Sequence, residues 1–92
     1  MDSNKAFFVW GVANGVLKRD TTMTVQELIE ILNFNHFKTE GNDVYKGGRG
    51  SYHFISELYQ YFVQMDNQEA ADDIAAAFTK SDGSYAYEVE KP

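Results

Sequence analysis

None of the 92 residues is a cysteine, so no disulfide can staple this chain and no thiolate can hold a metal or act as a nucleophile. Its fold must therefore be closed by side-chain packing alone. The means are present: 43% of the residues are hydrophobic, and seven Phe, six Tyr and one Trp supply bulk for a core. Charged residues stand at 24%, an ordinary globular level. Disorder needs low hydrophobicity together with high charge, and this chain has neither. A core of this size is too small to divide, so residues 1–92 read as one domain. The single proline is Pro92, and no linker, low-complexity tract or internal repeat interrupts the chain.

Helical periodicity organises most of the sequence. Ser3 or Asn4 is a candidate cap for a first helix over 5–18, with Ala6, Val9, Ala13, Val16 and Leu17 at helical spacing. Lys18 and Arg19 fall at its C-terminus, where the macrodipole favours cations. Residues 7–10 read alternatively as a buried strand. Gly11 and Gly15, four apart, form a smooth stripe that suits close helix packing inside the domain or against a second subunit. The clearest segment is the second helix. Thr24-Val25-Gln26-Glu27 is a capping box, Met23 a hydrophobic staple, and Val25, Leu28, Ile29 and Leu32 the buried stripe with Ile31 at its edge. Asn33 is its natural stop.

Residues 34–50 carry turn signals. Phe37-Lys38-Thr39 and Val44-Tyr45-Lys46 flank the turn Glu40-Gly41-Asn42-Asp43, which suggests a small antiparallel hairpin. Ser51 then caps a third helix over 52–65, with Ile55, Leu58, Tyr59 and Phe62 inward. A fourth helix runs from about 67 to 78 and buries Ala71, Ile74, Ala75 and Phe78, with Glu69, Asp72 and Asp73 near its start. After the turn Ser81-Asp82-Gly83-Ser84, residues 85–89 alternate as a strand with Tyr85, Tyr87 and Val89 on one face. The fold class is mostly helical α+β: three to four helices with a small antiparallel hairpin or sheet, winged-helix-like in outline.

Charge is unevenly placed in this chain of net charge −6. In residues 1–53, Asp2, Asp20, Glu27, Glu30, Glu40 and Asp43 balance Lys5, Lys18, Arg19, Lys38, Lys46 and Arg49. Residues 54–92 oppose eight acids with only Lys80 and Lys91. A uniformly acidic chain repels nucleic acid, but a neutral half with local bases need not. The apolar run 6–10 is too short for a signal peptide or a membrane span and ends at Gly11. A cytoplasmic location and no membrane partner are the expectations.

Lys46-Gly47-Gly48-Arg49-Gly50-Ser51-Tyr52-His53 is the segment most able to carry recognition. A glycine-rich turn that opens a helix presents unpaired amides at the positive end of the dipole, where phosphate binds well. The same glycines also serve a plain tight turn. Neither GxxxxGK[ST] nor GxGxxG spacing occurs. Helix, Leu32-Asn33, Thr39, Gly41, aromatic Tyr45 and a second helix together resemble the helix-turn-helix segment in the C-terminal region of large serine recombinases. The likeness covers about residues 25–62, with His36 at a glycine position and Gly41 one residue early; the catalytic serine domain is absent. The resemblance implies a winged or looped helix-turn-helix with the third helix in the major groove. Ser51, Tyr52, His53 and Ser56 would meet base edges, and Lys38, Lys46 and Arg49 would hold phosphates.

Catalytic signals are sparse. His36 and His53 are the only histidines, without HxxxH or HExxH spacing; no GxSxG elbow occurs, and Glu69, Asp72 and Asp73 lack a calcium-loop pattern. No enzyme activity, cofactor or metal is expected. The leading expectation is a small non-catalytic nucleic-acid-binding accessory or regulatory module, with DNA as partner and Lys38, Lys46, Gly48, Arg49, Ser51, Tyr52 and His53 as its contacts. The alternative is an acidic protein–protein interaction module of the kind phages and mobile elements encode. It would be a homodimer, or bind a basic protein partner, through the aromatic third helix or the acidic fourth.

Overall fold

Capping side chains set where the helices begin. The structure, a computed structural model, describes residues 1–48 and 50–88. Helix α1 (Ser3–Lys18) is capped by Asp2, whose carboxylate accepts from the Asn4 amide at 2.9 Å. Ser3 and Asn4 therefore lie inside the helix rather than before it, because a carboxylate one residue earlier already serves the free amides and the positive helix end. Residues 7–10 are helical, not a strand. Strand β1 (Met23–Thr24) leads into α2 (Val25–Phe34), whose Thr24 hydroxyl accepts from the Glu27 amide at 3.1 Å. Glu27 closes the box differently from the usual pattern: its carboxylate accepts from the Thr24 hydroxyl at 3.0 Å. Helix α3 (Gly50–Gln64) begins before Ser51, so Ser51 is not its cap. Asn67 caps α4 (Gln68–Ala77) by accepting from the Ala70 amide, and β2 (Phe78–Thr79) follows at once.

Three of the helices end alike. After α1, α2 and α3 the chain turns left-handed at Asp20 (φ 56°), His36 (φ 65°) and Asp66 (φ 58°). Each of these amides donates to the carbonyl three residues back, at 3.0 Å to Leu17, Asn33 and Val63. The next amides reach back further, Thr21 to Val16, Phe37 to Leu32 and Asn67 to Phe62. These are Schellman ends with a polar residue where glycine is usual.

Among the described residues the architecture is four helices and one very small sheet. The strand pair is parallel, Met23 opposite Phe78 and Thr24 opposite Thr79, and joins two distant parts of the chain. The antiparallel hairpin expected at 37–46 does not form: those residues contain no strand, so the loop has no paired-strand wing. Thr39 and Asn42 explain why, because the Thr39 amide and carbonyl are spent on Asp43 and Asn42 in closing the turn. The strand expected at 85–89 reduces to a single antiparallel bridge from Tyr85 to Thr79; Val89 lies outside the described residues.

The core is one cluster. Ala6, Val9, Ala13 and Val16 of α1, Val25, Leu28, Ile29 and Leu32 of α2, and Ile55, Leu58, Tyr59 and Phe62 of α3 are all buried. Helix α4 packs between α1 and α3, adding Ala70, Ala71, Ile74 and Ala77, while Phe78 closes the core from β2. Its alanines keep the helices close. Ala75 is only half-buried. The Trp10 indole donates to Asp73 at 2.9 Å and ties α1 to α4. Gly11 and Gly15 face open space: a Cβ at either would meet nothing within 4 Å, so internal close packing is not their role. Among the described residues, no helix is long and apolar enough to cross a membrane.

Candidate functional site

The glycine-rich segment hangs on a loop, residues 35–48, that the rest of the molecule grips at a few polar points. Asn33, at the end of α2, brackets Tyr45: its side-chain amide donates to the Tyr45 carbonyl at 2.9 Å and its oxygen accepts from the Tyr45 amide at 2.8 Å. An asparagine fits this role because its head carries a donor and an acceptor side by side. Lys5, 5% exposed, donates to the Lys38 carbonyl and sits 5.1 Å from the Tyr45 ring centre. The Tyr45 ring also meets Phe54 of α3 at 5.3 Å. Gly47 lies close against α2, where a Cβ would meet the Gln26 side-chain amide. Gly48, with φ 109°, takes a backbone conformation that a side chain would strain.

The expected contact residues are partly brought together. Lys46, Ser51 and His53 line one open depression of about 310 Å³ between the loop and the first turns of α3. Glu40 and Glu57 line it too, and Tyr45 and Phe54 add aromatic surface. His53 projects from α3 with its side chain 76% exposed, and its Nε2 lies 3.3 Å from Glu57 Oε1. Ser51 is buried and its hydroxyl donates to the Gly48 carbonyl, which spends its one donor within the turn. Tyr52 is half-buried beneath Lys80, whose Nζ lies 5.4 Å from the ring centre. The Lys38 side chain is exposed but does not line the depression. Arg49 lies outside the described residues.

Bases and acids therefore alternate around this opening. Among the described residues this sets Glu40 and Glu57 beside Lys46 and His53, so their fields partly offset one another. Among the described residues no group of three or more His, Asp or Glu is placed to hold a metal ion.

Two features went unforeseen. One is the Lys5 anchor, which falls i−4 and i−8 from Val9 and Ala13 on the buried stripe of α1 but carries a charge that argues for solvent. The other is the outward side of α2, where Ile31 is half-buried and Phe34 is 84% exposed. The signal for the second was available, since both residues fall off the Val25–Leu28–Ile29–Leu32 stripe. No protein-family model, no curated protein and no solved structure matches this chain.

Proposed function

We propose that this chain is a non-catalytic module that binds protein rather than nucleic acid. The observation that supports it is the company the loop bases keep: Glu40 and Glu57 share the depression of Lys46 and His53, and Glu57 sits 3.3 Å from His53. Alternating charge over aromatic surface suits a polypeptide, which carries both signs and apolar groups, better than a phosphate backbone.

A nucleic-acid-binding accessory module remains the second reading. It is favoured by exposed Lys38 and Lys46 beside a glycine-lined entry to α3. The left-handed backbone at His36, where the serine-recombinase segment has glycine, favours it as well. One titration separates the two. A labelled mixed-sequence duplex is followed by anisotropy at about 50 mM and about 200 mM salt, where each phosphate contact adds roughly 0.9 to the log–log slope. The expected result is no binding at the lower salt. Binding that falls steeply with salt and weakens in Lys46→Ala would overturn the protein-binding reading.

A further inference from the structure

We infer that the outward side of α2 is a docking face for a basic, amphipathic segment of a partner protein, an inference that rests on the protein-binding reading above. Helix α2 spends Val25, Leu28, Ile29 and Leu32 on the core. Glu27, Glu30, Ile31 and Phe34 follow the i, i+3, i+4, i+7 spacing on its other side and form a second stripe. Together with Met23 they line an open depression of about 410 Å³. Phe34 is 84% exposed, the most exposed of the large hydrophobic residues among those described, with Met65 next at 56%. A lone exposed apolar residue needs no explanation. Here, however, the ring stands beside half-buried Ile31 and half-buried Met23 in one concavity, which is the form of an anchor site.

Charge identifies the occupant. Among the described residues the only charged ones lining the depression are Glu27 and Glu30, and no lysine or arginine joins them. The Glu27 carboxylate is held by the Thr24 hydroxyl at the foot of the helix, so one negative charge has a fixed place beside the apolar surface. A complementary ligand brings apolar side chains to Met23, Ile31 and Phe34 and lysine or arginine to Glu27 and Glu30. From Glu27 to Phe34 the stripe runs about 10 Å, two helical turns, which matches a helix offering anchors at i, i+3 or i+4, and i+7. A second copy fits poorly, because a two-fold pairing on this face would set Glu27 and Glu30 against themselves in a chain of net charge −6. Nucleic acid and anionic lipid meet the same two carboxylates.

The test uses two fluorescent synthetic helices of about four turns, one of leucine and lysine and one of leucine and glutamate. Each is titrated by anisotropy with the full chain at about 150 mM salt, which screens long-range attraction. The expected result is binding of the leucine–lysine helix and none of the leucine–glutamate helix. Phe34→Ser and Glu30→Lys should each weaken binding about ten-fold or more, as loss of an anchor does. Glu69→Lys makes the same change of net charge on the exposed side of α4 and should stay within about two-fold, the range of a screened surface charge. Far-ultraviolet dichroism and melting of each variant confirm that these exposed substitutions leave the fold intact. Three results would overturn the inference: no binding with the chain at about 100 µM, unchanged affinity in Phe34→Ser, or equal losses in Glu30→Lys and Glu69→Lys. With the duplex titration also blank, such a failure removes only the α2 face. A salt-dependent duplex affinity removes the protein-binding reading itself.

Discussion

His36 shows how much one backbone angle can carry. At φ 65° it ends α2, and its amide and that of Phe37 close the last turn on Asn33 and Leu32. A side chain in the left-handed region costs about 1–2 kcal/mol, less for the short polar types that tolerate it. Glycine removes that strain but frees the unfolded chain, so the two effects partly cancel. His36→Gly should therefore raise the unfolding free energy by a few tenths to about 1 kcal/mol in urea denaturation. Asp82 offers a second check at this scale. The Ser84 hydroxyl, and then the Ser84 amide, donate to its carboxylate at 2.6 and 2.9 Å and hold its pKa below the usual aspartate value. A lowered folded pKa means that the contribution is present above the unfolded value, near 3.9, and is lost as pH falls through the folded one. By carboxyl NMR titration Asp82 should protonate below the ordinary aspartate range, and Ser84→Ala should move its midpoint upward.

At the scale of elements, α1 carries a conformational cost that its packing does not require. Gly11 and Gly15 are exposed, and a Cβ at either meets nothing within 4 Å. Glycine in a helix interior costs about 1 kcal/mol against alanine. Gly11→Ala and Gly15→Ala should each stabilise by about 0.5–1 kcal/mol in thermal or urea unfolding, with the solution mass unchanged. If this face paired with a second copy instead, the starting mass would lie near twice 10.5 kDa and both variants would lower it. The inward residues of α2 and α3 were legible, because burial follows the 3.6-residue period: Val25, Leu28, Ile29 and Leu32 of α2 and Ile55, Leu58, Tyr59 and Phe62 of α3 are all buried. In α4, by contrast, Ala70 and Ala77 are buried in place of Ala75. Boundaries were less so. Asp2 and Ser51 show why, since several side chains in a row can cap a helix, and which one does depends on where the chain enters it. The helix ends were hidden for a related reason: Asp20, His36 and Asp66 stand where a sequence reader looks for glycine.

At the scale of the whole molecule, the parallel pair of β1 and β2 binds residue 23 to residue 78, and Phe78 sits fully buried where they meet. Phe78→Ala should cost about 3–5 kcal/mol by leaving a cavity there. Because that contact joins both halves, the melting curve should stay a single cooperative transition at lower temperature. Lys46, Ser51 and His53 could be reached from sequence and do meet at one opening; that Glu40 and Glu57 share it was left to the fold. The amino-acid sequence alone determined a mostly helical chain of three to four helices, most of their inward faces and the absence of cysteine cross-links, because helical period and composition are local properties. Only the tertiary structure decided that the sheet is parallel, that Lys5 turns inward to hold the loop, and which charges share a surface. Those depend on residues far apart in the chain being brought together, and no spacing along it records their distance in space.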